Sequence, residues 1–397
     1  MKKIAPIVLF TYNRPWHTRQ TVKALQKNEL AGWSELFIYS DGGKDEESWQ
    51  KVNEVREYLK TISGFKNITI IEQEKNLGLA DSIIDGVTNV VNKYGKIIVL
   101  EDDIVTSPYF LRFMNDALDF YENEEKIWHI SGWNYPVENA STEDVFFWRV
   151  MNCYGWSTWA NRWEYYKKDT EELIELFTPD EIYKFNLDGT CDFWSQVLAN
   201  KEGKINTWAI YWYATIFQNK GLCVSPVKSF SRNIGFDSAG THTKSFKIFN
   251  EVVADSYLGN FSNSIREHEE YTNQIKNFFL KNQKNGQDDL KKFNGRLASF
   301  LNMIKNLEKS AETYILYGAG TGAEVALKWL GDKIVFIIDQ NENIKTAFGK
   351  KVFNPEVLKE YGNHKIIISV FGRENEIRSM LMSRYQIKSS NIVLLVS

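Results

Sequence analysis

Short apolar runs and amphipathic stretches alternate through the first hundred residues. Ile4 to Thr11, Leu36 to Ser40, Asn67 to Glu72 and Lys96 to Leu100 are brief and apolar, with turn residues beside them, which predicts strands. Between them, Trp16 to Lys27, Glu46 to Thr61 and Leu79 to Val91 have helical character. This alternation predicts an α/β domain with parallel strands and covering helices. Ligands of such sheets collect beyond the carboxyl ends of the strands.

From about Thr106 to His242 the pattern is irregular and aromatic, with no linker composition, as expected for the second half of the same domain. A polar helical stretch follows, roughly Asn260 to Ser310. In it Leu290, Phe293, Leu297, Phe300, Ile304 and Leu307 step by three and four, which fits one helical seam. The seam is too short for a coiled coil and is weakened by Gly295. It is read as packing on the protein's own domains, with a homodimer as the sharper alternative. The surplus of Lys and Arg there adds peripheral contact with an anionic membrane surface as a third option. Alternation restarts with strands at Tyr314 to Tyr317, Ile334 to Ile338, Lys365 to Val370 and Ile392 to Val396. The expected division is a domain over 1–258, a helical connector over 259–311 and a small Rossmann-like domain over 312–397.

Every polar motif of the first hundred residues falls at the end of a strand. Thr11-Tyr12-Asn13-Arg14-Pro15 follows the first, Asp41-Gly42-Gly43 the second and Asn76-Leu77-Gly78 the third. Glu101-Asp102-Asp103 closes the fourth. Three adjacent acids repel one another, and a divalent cation or a polyhydroxylated ligand would offset that cost. Carboxylates suit Mg²⁺ or Mn²⁺, and an ion held there could bridge a diphosphate.

Composition narrows the classes. With 48 basic and 51 acidic residues the net charge is −3, so nothing global points to nucleic acid. Cys153, Cys191 and Cys223 lack metal-site spacing and read as reduced thiols of a cytosolic protein. The start, Met1 to Pro6, leads into a strand rather than a signal core, and no run approaches the ~20 apolar residues of a membrane span. The expected location is the cytoplasm, including the inner membrane surface. The thirteen Trp, many between Trp128 and Trp212, are divided between core packing and stacking on sugar rings.

Residues 4–243 resemble GT-A fold glycosyltransferases of the N-acetylglucosaminyltransferase I type. The resemblance rests on the run Val99 to Phe110, on Trp128-His129-Ile130-Ser131-Gly132-Trp133-Asn134 and on Gly155-Trp156-Ser157-Thr158-Trp159. A likeness to family 2-type bacterial glycosyltransferases goes with it. The resemblance implies a nucleotide-diphospho-sugar transferase fold, and a Mn²⁺ (or Mg²⁺) cofactor bridging the donor diphosphate. Arg14 then resembles the arginine that contacts the donor nucleotide, and Asp41 the acid that hydrogen-bonds uracil. Glu101 and Asp102 resemble the pair facing donor sugar and ribose, and Asp103 the direct metal ligand. Asn76 resembles part of the donor-side loop, where a tight turn is the structural alternative.

An attacking hydroxyl needs a base. Asp192, in Thr190-Cys191-Asp192-Phe193-Trp194, is the choice, following the Gly155-Trp156 region as the base-bearing segment does in similar enzymes. A helix-capping role is its alternative, and Asp188 is its nearest rival. His242, in the run from Arg232 to His242, is read as a loop residue closing on the metal or phosphates, with a solvated loop histidine as the alternative. Arg232 could offset diphosphate charge. The expected reaction is inverting transfer from a UDP-sugar, UDP-GlcNAc slightly preferred, to a hydroxyl of a glycan or lipid-linked glycan in bacterial surface polysaccharide synthesis. A nucleotidyltransferase is the first rival, although Thr11 to Pro15 is not the glycine-rich basic loop it needs. A non-catalytic sugar-nucleotide sensor built on the last domain is the second. There Gly318-Ala319-Gly320-Thr321-Gly322-Ala323 lies between a strand and a helix with Asp339 about twenty residues on, the context of a dinucleotide site. A regulatory or assembly module fits the same context.

Overall fold

The computed structural model describes residues 3–138, 143–235, 253–281, 303, 306–341, 344–361, 363–370 and 374–394. The chain divides into two compact units, Met1–Lys281 and Asn282–Ser397.

The first unit is built on an eight-stranded sheet. Its strands are β1 (Ile7–Thr11), β2 (Glu35–Ser40), β3 (Asn67–Glu72), β4 (Lys96–Glu101), β6 (Ile127–Ser131), β7 (Val145–Trp148), β8 (Trp156–Trp159) and β9 (Leu222–Pro226). Their spatial order is β3-β2-β1-β4-β8-β6-β9-β7. β3, β2, β1 and β4 are parallel, β8 is antiparallel to both β4 and β6, and β7 is antiparallel to β9. A two-stranded ribbon pairs β5 (Ile104–Thr106) with β10 (Ser231–Asn233). This mixed sheet with its parallel half and helical crossovers matches the α/β class expected from the sequence.

The parallel strands read as continuous apolar runs because both their faces are covered. In β1, Val8 and Phe10 enter one core cluster while Ile7 and Leu9 enter the other. In β4, Ile97 and Val99 divide from Ile98 and Leu100 in the same way. β1 starts at Ile7 rather than Ile4. Pro6 has no N–H to give the ladder, although its carbonyl still accepts from the Ile98 N–H at 2.9 Å.

The crossovers are α1 (Pro15–Gln26), α2 (Glu46–Leu59) and α3 (Leu79–Tyr94), with α4 (Phe110–Phe120) after the ribbon strand. Asp45 and Ser48 form a capping box that starts α2. Gly95, at φ 83°, ends α3 in the left-handed region that favours glycine and turns the chain into β4. The aromatic half is less irregular than its sequence pattern. It carries α5 (Ala160–Trp163), α6 (Thr170–Leu176), α7 (Pro179–Phe185), α8 (Trp194–Lys201) and α9 (Ala209–Gln218).

Every Trp from Trp128 to Trp212 is buried. Trp156 stacks on Trp208 at 5.1 Å and on His129 at 5.4 Å, and Trp163 stacks on Tyr166 at 4.5 Å. These rings are occupied by one another, which removes them as sugar platforms. The segment after residue 253 packs into the same unit as far as residue 281. The Ala254 N–H donates to the Ser229 carbonyl at 2.7 Å, Phe261 lies 6.1 Å from Phe113, and Tyr271 stacks on Phe146 at 4.5 Å. Most of the expected seam, Leu290 to Phe300 and Ile304, lies outside the described residues.

The second unit holds a six-stranded sheet: β11 (Tyr314–Tyr317), β12 (Ile334–Ile338), β13 (Thr346–Ala347), β14 (Lys350–Phe353), β15 (Lys365–Ile368) and β16 (Ile392–Leu394). The order β13-β14-β12-β11-β15-β16 is parallel throughout except at β13. The glycine turn joins β11 to the helix Thr321–Leu330. Asp339 spends its carboxylate locally: Oδ2 accepts from the Ala319 N–H and Oδ1 from the Asn341 N–H, both at 2.8 Å. Among the described residues, no helix is long and apolar enough to cross a membrane.

Candidate functional site

The carboxyl ends of β1, β2 and β4 carry the site. Arg14 lies in the turn that leads from β1 into α1, and its backbone carbonyl anchors the first helical turn through the Thr18 N–H at 3.0 Å. Its Nη2 donates to Asp102 Oδ1 and, at 3.0 Å, to Asp103 Oδ2. Thr21 of α1 donates its hydroxyl to the Asp102 carbonyl at 2.8 Å, fixing the backbone of the acidic turn from below.

The electrostatics follow from burial. Asp102 and Asp103 are 3% and 8% exposed. Burial pushes the Glu101 carboxyl up to about 8, with the charges of Asp103 and Asp102 adding and Arg14 only partly opposing. Asp102 is raised as well, by burial first, against the pull of Arg14. For Arg14, burial opposes the charge, but Asp102 and Asp103 outweigh it and hold the guanidinium ionised.

Asp102 Oδ2 and Asp103 Oδ1 are buried without a hydrogen-bond partner. Arg14 therefore satisfies half of each carboxylate, and the remaining oxygens suit a hard cation. Among the described residues no group of three His, Cys, Asp or Glu is placed to hold a metal ion. Mg²⁺-like ions do not need three such residues, because one or two carboxylates plus substrate phosphates suffice. The residues present fit such an ion.

A second acid of the expected set has a different task. Asp41, 7% exposed at the end of β2, accepts four hydrogen bonds. Oδ1 takes the Gly42 N–H at 2.9 Å and the Leu77 N–H at 2.8 Å; Oδ2 takes Asn76 Nδ2 at 2.9 Å and the Gly78 N–H at 3.0 Å. These fill the capacity of a carboxylate. Asn76 also donates to the Gly42 carbonyl at 2.8 Å. Together Asp41 and Asn76 fold the β3–α3 loop onto the end of β2, and a nucleobase N–H would have to displace one of the four donors.

The ribbon covers the acidic turn. The Ile234 N–H donates to the Asp103 carbonyl at 2.9 Å. A Cβ on Gly235 would overlap the Asp103 carboxylate, so only glycine permits this approach. Arg232 is exposed on β10, opposite Val105 in the register. His242 lies outside the described residues.

The wall beside the acids comes from β8 and β6. β8 runs antiparallel to β4, so its lead-in, Asn152 to Gly155, passes the end of β4. The Cys153 thiol is pushed up by burial and then by the charges of Glu101 and Asp103, which stand beside it. Tyr154 is raised by burial, with the same two acids contributing. Trp133, just past β6, meets Tyr154 edge-on at 5.1 Å and Tyr135 at 4.7 Å.

Asp192 lies next to Cys191, a thiol that neighbours Tyr135. It is exposed, and its Oδ1 accepts the Ser195 N–H at 3.2 Å at the start of α8. The capping bond foreseen for it exists. Asp188 is committed elsewhere: Arg149 Nη2 and Lys276 Nζ both contact its Oδ2 at 2.5 Å. Burial raises its carboxyl, but Lys276 and Arg149 outweigh that and leave it lowered. Leu187, Asp188 and Gly189 are successive positive-φ residues at 52°, 54° and 71°, a strained turn that these ion pairs hold and that leads into Asp192.

Gly235, Thr21 and Cys153 had no role in the sequence reading. Each approaches the acids from a distant part of the chain, and only the glycine, in an Asn-Ile-Gly run after a short strand, carries a local signal.

Residues 1–165 match the family model described as "GNT-I family". No curated protein gave a match. Among solved structures, the chain is similar to a mannosyltransferase from Pyrobaculum calidifontis in complex with GDP-Man and Mn²⁺, at 9% identity and TM-score 0.32, over 55% of this chain and 69% of that one. A UDP-glucose pyrophosphorylase complexed with UDP-glucose shares 11% identity at TM-score 0.29, over 56% and 90% of the two chains. Mouse xyloside xylosyltransferase 1, apo form, shares 11% identity at TM-score 0.29, over 54% and 81%. Likenesses this slight carry no functional weight.

Proposed function

We propose that the first unit is a metal-dependent glycosyltransferase that takes its sugar from a nucleoside diphosphate donor. One observation carries this reading: two adjacent aspartates at the end of a central parallel strand each keep one buried oxygen without a partner, while a single arginine holds the other two. The match of residues 1–165 to the GNT-I family model supports it.

Asp103, with Asp102 beside it, would hold Mn²⁺ or Mg²⁺. When bound, such an ion supplies Lewis-acid stabilisation of the charge that builds on the departing nucleoside diphosphate. Arg14 is placed to add positive charge at the same point. Glu101, largely protonated near neutral pH, can both donate to and accept from a sugar hydroxyl. Asp41 and Asn76 shape the loop against which the nucleoside would lie. Arg232 faces solvent on the covering ribbon, available to phosphates.

Asp192 is proposed as the base that takes the proton from the acceptor hydroxyl, in a single displacement that inverts the anomeric centre. Asp188, ion-paired on one side by Arg149 and Lys276, is its positioning partner rather than its rival. UDP-GlcNAc is the first donor to try, and a glycan hydroxyl in bacterial surface polysaccharide assembly the acceptor class, with the enzyme in the cytoplasm or at the inner membrane surface.

The test is a thermal-shift series with UDP, UDP-GlcNAc, UDP-glucose and GDP-mannose, each with Mn²⁺ and with EDTA. A nucleotide sugar should raise the melting temperature only with Mn²⁺, and Asp103→Ala should abolish the rise. A rise that survives both chelator and Asp103→Ala would overturn the metal reading. Product analysis separates the chemistries: nucleoside diphosphate release fits transfer of a sugar, and pyrophosphate release would indicate a nucleotidyltransferase.

A further inference from the structure

Two asparagine side chains beside the acidic turn each keep an amide NH₂ that the fold's own hydrogen bonding does not use. Asn134 follows β6 and is 1% exposed, and Asn152 precedes β8 and is 7% exposed. The Nδ2 of each is buried without a hydrogen-bond partner. For Asn134 the orientation is fixed, because its Oδ1 accepts the Tyr135 N–H at 2.8 Å and leaves the NH₂ as the free end. Its backbone is pinned to Ser229 by the Asn134 N–H at 3.0 Å. The Asn152 carbonyl accepts from His129 Nε2 at 3.0 Å, which holds its backbone while its Nδ2 has no partner.

The sheet places both at one edge. β6 and β8 are antiparallel, with Ser131 opposite Trp156, and the Gly132 N–H donates to the Gly155 carbonyl at 2.7 Å. Trp133 then meets Tyr154 edge-on at 5.1 Å, so the stretch from Gly132 to Asn134 lies near that from Asn152 to Gly155. β8 also pairs with β4, Val99 opposite Trp156, so the same lead-in passes the Glu101 turn. The acids next to Cys153, the neighbour of Asn152, are Glu101 and Asp103.

We infer that Asn134 and Asn152 form a sugar-recognition subsite next to the acidic turn. A buried amide N–H₂ with no acceptor is costly to keep and is explained when a ligand supplies the acceptor. Glu101, Asp102 and Asp103 present mostly acceptors. A ligand rich in hydroxyls needs donors and acceptors together, and the two amides provide the missing donors. The subsite reads the sugar of the donor, not its nucleotide: an acetamido carbonyl or a ring hydroxyl oxygen is the chemistry it takes.

This inference rests on the nucleotide-sugar reading of the same site, and the experiment separates the two. Calorimetry with Mn²⁺ compares the tightest binder among UDP-GlcNAc, UDP-glucose and GDP-mannose with its parent nucleoside diphosphate. In Asn134→Ala and Asn152→Ala the nucleotide sugar should bind at least tenfold more weakly, while the parent diphosphate stays within about twofold. A merely structural role would weaken both ligands together, and that outcome overturns the subsite, as does unchanged binding of the nucleotide sugar in both variants. If the wild-type protein binds none of the three sugars more tightly than the parent diphosphate, the donor reading fails and takes the subsite with it.

Discussion

His129 is a buried titration sensor for the half of the fold that supports the acidic turn. It is fully buried on β6. The Trp212 indole N–H donates to its Nδ1 at 3.2 Å, which makes that nitrogen an acceptor and leaves Nε2–H to donate to the Asn152 carbonyl at 3.0 Å. The ring is neutral, and burial lowers its pKa from an ordinary value near 6.5 to about 3. The folded state thus binds fewer protons than the unfolded chain between these values. Its contribution to stability is complete above pH 6.5 and is lost as pH falls towards 3. Each pH unit in that window is worth about 1.4 kcal/mol, so at pH 5 the loss is about 2 kcal/mol. Glu101 acts with the opposite sign. Its folded value near 8 makes its contribution complete below the usual carboxylate range and lost as pH rises through 8. A comparison of wild type with His129→Gln cancels that background, because both proteins keep Glu101. Glutamine keeps a donor and an acceptor but cannot take a proton at these pH values. Urea unfolding followed by tryptophan fluorescence reports the first unit, which holds all but one of the thirteen Trp. The stability gap between wild type and variant should shift by about 2 kcal/mol between pH 7.5 and pH 5. A gap that stays constant across that range would refute a buried neutral histidine.

Other expectations concern the site more directly. Gly235→Ala puts a methyl group into the Asp103 carboxylate, so Mn²⁺ affinity in the presence of UDP, read by electron paramagnetic resonance, should fall at least tenfold; unaltered affinity would show that the approach of the ribbon does not constrain the acid. Asp41→Ala leaves three backbone N–H groups and the Asn76 amide without their acceptor, which should cost on the order of 3 kcal/mol in urea unfolding; a loss below about 0.5 kcal/mol would mean that water replaces the carboxylate freely. Asp188→Asn removes a partly exposed partner from Arg149 and Lys276, so a cost of only about 1 kcal/mol is expected at neutral pH. Because the Asp188 carboxyl is lowered, that cost should vanish as pH falls through its folded value, and transfer should drop more than donor binding if the turn positions Asp192; equal losses would remove the positioning role.

The parallel half of the molecule was legible because its signals are local. Each strand is a short apolar run buried on both faces, and each functional turn is written in the next few residues, as Glu101 to Asp103 after β4 illustrates. The partners of those residues were not legible. The donors that fill Asp41 come from Asn76, Leu77 and Gly78, up to 37 residues away across a crossover. Composition also misdirected the reading of the aromatic half. A Trp on a core face and a Trp on a sugar platform look alike in sequence, and here the rings from Trp128 to Trp212 are all buried, several of them stacked on other aromatic rings.

The acidic turn has two kinds of support, and they differ in what substitution can change. Arg14 and Thr21 come from the crossover that follows β1, the strand beside β4, so they are fixed by the same short connections that fix the sheet. The opposite wall is assembled from β6, the lead-in to β8 and the β10 ribbon, held by long-range bonds such as Gly132 N–H to Gly155 carbonyl and Ile234 N–H to Asp103 carbonyl. A charge-neutralising arginine on the rigid side and polar groups on the other side suit a division of labour. The sheet end, fixed by short connections, would hold the diphosphate and its cation, and the wall would set which sugar is accepted. Variants of the wall should therefore change donor preference with nucleotide binding intact, whereas variants of Arg14 should weaken every nucleoside diphosphate alike. The opposite pattern would mean that recognition is not divided between the two sides.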